Sequence, residues 1–123
     1  MADKPTLLVV DDEVRILAAL KRTLRREGYR ILTAETPAQA LRMLDDEPID
    51  CILSDQKMPG MSGIELLEEA GRRRPRAARL LITGWTEEVP SEQRRRIGLS
   101  ALIAKPWDDA ELKQILRDAL GGS

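Results

Sequence analysis

At 123 residues the chain is sized for one domain, expected to span 1–123. A domain of that length buries about two thirds of the surface its unfolded chain exposes, so it needs neither disulfides nor a structural metal to fold. A formal charge of −1 speaks against a domain whose main task is to coat nucleic acid, because binding by counterion release needs a basic surface.

The first apolar run, Thr6–Val10, predicts a strand. From Glu13 to Glu27 the spacing of Val14, Leu17, Leu20 and Leu24 predicts a helix with one apolar stripe, and Gly28 supplies a stop. Arg30–Ala34 is a second strand. A second helix opens with Thr36 as N-cap and Pro37 at its first position, turning Ala40, Leu41 and Leu44 inward. Cys51–Ser54 is a third strand, and the single cysteine within it reads as a small core residue in a reducing compartment. The Pro59-Gly60 turn folds the next loop back. Ser62-Gly-Ile-Glu65 is a capping box that opens a third helix from Gly63 to Arg73, with Ile64 and Leu67 buried.

The basic stretch Arg72-Arg73-Arg74-Pro75-Arg76 reads as a solvated helix end, its charge suited to the negative pole of a helix dipole. Leu80–Ile82 is a fourth strand. Beyond Thr83, Val89-Pro90-Ser91 interrupts the chain, and Pro90 is expected at the first position of a short helix that ends near Ile97, before Gly98. Ala101–Ala104 is a fifth strand. Asp108-Asp-Ala-Glu111 is a weaker capping pattern for a last helix that buries Leu112, Ile115, Leu116 and Leu120. With no long apolar stretch and no leader pattern, a cytoplasmic chain with no membrane partner is expected.

Strands alternating with helices predict a mostly parallel sheet with right-handed crossovers and helices on both faces. The economical arrangement is a flavodoxin-like, doubly wound (βα)5 fold of the α/β class with strand order 2-1-3-4-5. In that order Asp11-Asp12, Asp55, Thr83 and Lys105, each just after an apolar run, meet at the carboxyl edge of the sheet. Three carboxylates crowded together repel one another; a divalent cation and one lysine bring their formal sum to zero. Oxygen donors without histidine or a placed cysteine suit Mg²⁺. A carboxylate is also a nucleophile towards phosphorus. Asp55, on the middle strand of the cluster, is the candidate, with Asp11-Asp12 as a metal-holding pair and Thr83 placed to turn its hydroxyl towards new phosphoryl oxygens.

Four segments then carry a resemblance: Val9-Val-Asp-Asp-Glu13, Leu53-Ser-Asp-Gln-Lys-Met-Pro-Gly-Met-Ser-Gly63, Leu81-Ile-Thr-Gly84 and Ala104-Lys-Pro-Trp107. Over essentially its whole length the chain resembles a response-regulator receiver domain of two-component signalling. The resemblance implies Asp55 as phosphoacceptor, Asp12 and Asp55 as direct Mg²⁺ ligands, Asp11 as a ligand through water and the Lys57 carbonyl as a further ligand. It implies Thr83 and Lys105 on the phosphoryl oxygens, a cis peptide after Lys105, and phosphoryl donation by a histidine kinase, a phosphotransfer protein or a small acyl phosphate. It also implies a downstream output domain or effector, a possible homodimer through the fourth-helix face, and no direct nucleic-acid contact by this domain.

Leu102 stands where the family often has a switching Tyr or Phe, so coupling is expected through Leu102 and the short fourth helix. Trp85 and Lys57 occupy positions that in the family influence phosphoryl lifetime, and slow self-dephosphorylation is expected with Trp85 shielding the acyl phosphate.

Taken singly, Asp12 would be an N-cap, Thr83 a loop-starting cap and Lys105 a solvated lysine; convergence changes that reading. Three rivals stay in view. A pseudo-receiver would keep the fold without the chemistry. A haloacid-dehalogenase-like phosphatase would want an acid where Lys57 stands. A flavodoxin-like nucleotide or flavin binder would want a glycine-rich phosphate loop after the first strand.

Overall fold

The structure is a computed structural model that describes residues 4–84 and 89–120. The elements run β1 (Thr6–Val10), α1 (Val14–Leu24), β2 (Arg30–Ala34), α2 (Pro37–Asp46), β3 (Cys51–Asp55), α3 (Gly63–Arg73), β4 (Ala78–Thr83), α4 (Ser91–Arg96), β5 (Ala101–Ala104) and α5 (Asp109–Leu120). The five strands form one parallel sheet in the order β2-β1-β3-β4-β5, the flavodoxin-like order expected.

Successive strand residues face opposite sides of a sheet, and here that period of two sorts the core. Leu8, Val10, Ile52 and Leu81 pack with Ala40 and Leu44 of α2 and Ile64, Leu66 and Leu67 of α3. Leu7, Val9, Leu53, Leu80 and Ile82 pack with Leu17, Leu20 and Leu24 of α1 and Leu112 and Leu116 of α5. Each such fully buried aliphatic side chain contributes about 1.5–3 kcal/mol, which explains how a chain without Phe sustains two core layers.

The capping signals hold. Gln39 N donates to Thr36 Oγ1, both halves of the Ser62–Glu65 box are formed, and Glu111 N donates to Asp108 Oδ2. Several bounds differ from expectation. β3 extends to Asp55 and β4 runs from Ala78 to Thr83, because backbone pairing continues past the apolar run, with Cys51 opposite Ala78 and Asp55 opposite Ile82. The edge strand β2 is half-buried rather than enclosed on both faces.

Val14 was expected in the apolar stripe of α1 but is 58% exposed. It is the first residue of a helix that starts beyond the end of β1, so it overhangs the sheet. α1 ends at Leu24 rather than Glu27, and Gly28, at φ 89°, makes the turn into β2. Pro90 precedes α4 as its N-cap instead of opening it, its ψ of 147° being extended.

The arginines after α3 do more than solvate a helix end. Arg73 binds Asp45 at 2.7 Å, and Arg74 donates to the Leu44 and Glu47 carbonyls at 2.7 and 2.9 Å. These are the carbonyls that the last turn of α2 leaves unpaired. α4 is attached differently from the other helices, since none of its own residues is buried. The flanking Val89 and Ile97 are buried instead, Arg94 Nε donates to the Val89 carbonyl at 2.9 Å, and Arg79 Nε of β4 donates to the Ile97 carbonyl at 2.9 Å.

Cys51 is fully buried, and burial pushes its thiol well above the ordinary range. Native protein at neutral pH is therefore expected to react with a thiol reagent such as dithionitrobenzoate only through unfolding. Labelling at the rate of a free thiol, with no acceleration in urea, would contradict that burial.

Candidate functional site

Because the strands are parallel, their carboxyl ends share one edge, and the chain leaves β1 through Asp11-Asp12, β3 through its last residue Asp55, and β4 through its last residue Thr83. Lys105 follows β5 directly. The ladder holds these exits in place: Asp11 N donates to the Ala34 carbonyl and Lys105 N to the Thr83 carbonyl, at 3.2 and 3.0 Å.

The Lys105 ammonium lies 2.9 Å from Asp55 Oδ1 and 3.2 Å from Asp11 Oδ2. One carboxylate oxygen from each of Asp11, Asp12 and Asp55 falls within 4.8 Å of the others. Asp11, Asp55 and Thr83 are buried, while Asp12 is exposed at the mouth. Asp11 Oδ1 also accepts from the Glu13 amide at 2.8 Å, so Asp11 rather than Asp12 serves the start of α1. The peptide between Lys105 and Pro106 is cis, as the resemblance implied.

The electrostatics show what the cluster lacks. Burial holds the Asp11 carboxyl above the ordinary carboxylate range, the Asp55 charge adds to this, and the Glu13 amide and Lys105 only partly oppose them. Desolvation works against the Lys105 charge, but the Asp55 hydrogen bond and the charges of Asp11 and Asp55 outweigh it and hold the ammonium above the usual lysine range. One ammonium therefore does not balance three acids. An oxygen-only donor set short of positive charge is what a hard divalent cation fits.

The expected residues meet with some distinctions. Lys57 is exposed in the loop between β3 and α3, and only its main chain is expected at the site. Trp85 lies outside the described residues, and with it the expected shielding of the acyl phosphate. Leu102 is half-buried against the α2–α3 core layer. The Trp107 indole donates to Asp109 Oδ1 at 3.0 Å, and Thr23 Oγ1 reaches the same oxygen at 3.3 Å, tying the start of α5 to α1.

Beside Lys105 opens a groove of about 780 Å³ lined by Ile16, Ala19, Arg22, Thr23, Pro106 and Trp107. Another cleft of about 880 Å³, lined among others by Lys4, Arg30 and Asp50, lies at the amino ends of the strands, away from the acids. Gln56 was missed by sequence reasoning. Its side chain caps α3 from across the loop, a pairing eight residues apart that no local capping pattern signals.

Comparison with known proteins places this geometry. The family described as "Response regulator receiver domain" matches residues 7–117. The hydrogenase transcriptional regulatory protein HoxA of Cupriavidus necator is 40% identical over 122 residues, covering 98% of this chain and 25% of that protein, so the chain spans about a quarter of that regulator's length. Sporulation initiation phosphotransferase F of Bacillus subtilis is 30% identical over 114 residues, covering 93% of this chain and 92% of that protein. A CheY-like response regulator receiver domain protein from Methanospirillum hungatei superposes with a TM-score of 0.88 at 31% identity, over 98% of this chain and 96% of that one.

Proposed function

Because this chain belongs to the response regulator receiver domain family, we propose that residues 1–123 form a phosphorylation-controlled switch with Asp55 as its acceptor. The observation that carries the reading is the Lys105 ammonium at 2.9 Å from Asp55 Oδ1, inside a cluster of three acids that is short of positive charge. An Asp55 carboxylate oxygen attacks phosphorus in a phosphohistidine of a kinase or phosphotransfer protein, or in a small acyl phosphate. The new P–O bond forms as the bond from phosphorus to the donor nitrogen or oxygen breaks, and the donor leaves with the electron pair.

Asp11, Asp12, Asp55 and the Lys57 main-chain carbonyl would hold Mg²⁺, which when bound offsets charge on the phosphoryl oxygens. Lys105 neutralises that charge from the other side, and Thr83, buried at the end of β4, donates its hydroxyl to the oxygens that arrive. Phosphorylation exchanges one negative charge for about two. The response travels along β4 and β5 to α4 and α5, with Leu102 in the role an aromatic residue fills in relatives, and changes how that face meets an output domain, an effector or a second copy.

The groove between α1 and Trp107 gives a phosphodonor protein a surface next to Lys105. Among the described residues no helix is long and apolar enough to cross a membrane, and a cytoplasmic site of action fits a donor of this kind.

Intact mass after incubation with acetyl phosphate and Mg²⁺ tests the reading. One phosphoryl mass is expected in the wild type, and none in Asp55→Asn or without Mg²⁺. No gain in the wild type, together with failure to bind beryllofluoride, would identify a pseudo-receiver instead.

A further inference from the structure

Gln56 stands directly after Asp55, and the start of α3 is tied to it twice. Its main-chain carbonyl accepts from the Gly63 amide at 2.9 Å, and its side-chain Oε1 accepts from the Ile64 amide at 3.0 Å. The next two amides, of Glu65 and Leu66, go to Ser62 Oγ at 3.2 Å and the Ser62 carbonyl at 2.9 Å. The first four amides of a helix have no partner inside it. Here those four belong to Ser62, Gly63, Ile64 and Glu65, since Leu66 already makes the first bond of the helix; the Ser62–Glu65 box satisfies its own two, with Ser62 N donating to Glu65 Oε1 at 2.9 Å, and the residue that leaves Asp55 satisfies the other two.

The loop 57–62 is thus closed into a ring through Gln56. Gly63 completes it from the helix side, since a Cβ there would overlap the Asp55 carbonyl oxygen, so the first residue of α3 rests on the backbone of Asp55 itself. Ser54 Oγ donates to the same carbonyl at 2.9 Å.

We propose that Gln56 is a positioning residue for the acid cluster: by capping α3 with its side chain it fixes the peptide that leaves Asp55, and with it the set of oxygens offered to a divalent cation. The proposal rests on the reading of Asp55 as a member of that set. A neutral amide is chemically suited to the place. It supplies the acceptor that the Ile64 amide needs without adding a negative charge one residue from Asp55, where two carboxylates already share one ammonium and a third stands beside them. Loss of its side chain leaves the Gly63 bond and the Ser62–Glu65 box in place, so the helix survives while the segment that leaves Asp55 loses one of its two ties to α3.

The test is calorimetric titration with Mg²⁺ alone on the full chain, comparing wild type, Gln56→Met and Ser62→Ala, with thermal midpoints recorded in parallel. Gln56→Met is expected to weaken Mg²⁺ binding about tenfold, the lower end of the loss seen when residues that orient metal ligands are changed. Ser62→Ala should lower the midpoint and leave Mg²⁺ affinity unchanged, because it frays α3 without touching the backbone of Asp55. Equal affinity in Gln56→Met and wild type overturns the proposal. So does an equal loss in both variants, which would mean general fraying of α3, or a wild type that takes up no Mg²⁺. Phosphoryl gain by mass is scored separately. Its absence in a wild type that binds Mg²⁺ removes the proposed function and leaves the comparison of affinities standing.

Discussion

Replacing Gly63 by alanine is expected to lower the urea midpoint more than any exposed substitution in the molecule. The added Cβ would overlap the Asp55 carbonyl oxygen and come within 2.9 Å of the Asp55 carbonyl carbon and 2.7 Å of Leu81 Cδ1. The leucine tip can rotate away; the carbonyl cannot, because Asp55 is paired in the sheet opposite Ile82. Alanine would otherwise favour a helix by about 1 kcal/mol over glycine, so the sign of the effect is decided by the collision. Overpacking of this kind costs about 1–3 kcal/mol or more, against a total stability of about 5–15 kcal/mol for a domain. Gly84→Ala is the control, since among the described residues nothing lies within 4 Å of a Cβ built there. If Gly63→Ala unfolds at the same urea concentration as Gly84→Ala, α3 does not rest on Asp55.

Lys105→Met should expose the cost of the acid cluster. The ammonium bonds two carboxylates that are 1% and 10% exposed, and hydrogen bonds between charged groups contribute about 1.5–3 kcal/mol, so a loss of about 2 kcal/mol is expected at neutral pH without metal. The pH dependence follows from the directions of the shifts. Lys105 is held above its usual value, so its contribution is full below the ordinary lysine range and is lost as pH rises through the higher folded value. Asp11 is also held high. It therefore favours folding below the ordinary carboxylate range and becomes a burden as pH rises through its folded value.

Without Lys105 that burden grows, so the deficit of the variant should be wide at neutral pH and should narrow as the carboxylates protonate in acid. Millimolar Mg²⁺ should restore more stability to the variant than to the wild type, provided both still bind it. Urea midpoints measured across pH, with and without Mg²⁺, check both statements. A deficit that does not change with pH would show that Lys105 supports the fold through packing alone.

What the sequence disclosed and what it withheld divide along physical lines. The order of elements, the strand order and the meeting of Asp11, Asp12, Asp55, Thr83 and Lys105 follow from apolar runs and from the shared direction of parallel strands, both of which are local patterns. The Thr36 cap and the Ser62–Glu65 box were legible because their partners lie three residues apart. Arg74 on the end of α2, Arg79 on the end of α4 and Gln56 on the start of α3 were not. Each is a long side chain that reaches backbone brought close only by folding, and nothing in a single sequence distinguishes such a side chain from a solvated one. Val14 failed for the opposite reason: its spacing fits the stripe, but the helix begins above the layer that the stripe packs against.

The manner in which α4 is attached has a further consequence. A helix that buries its own leucines leaves a void when it shifts, and filling or tolerating that void sets a steep toll on movement. α4 carries serine, glutamate, glutamine and arginine, and its ties to the rest of the molecule include the Arg79 bond to the Ile97 carbonyl, the exposed Arg96–Glu68 pair at 4.0 Å and the apolar residues at its two ends. On the proposed reading it is therefore expected to shift more readily than the helices that bury leucines, since an exposed hydrogen bond exchanged for water costs about 1 kcal/mol. On that reading the phosphoryl charge arrives at Asp55, where β3 ends beside β4, and this weakly anchored helix is the element expected to respond to it.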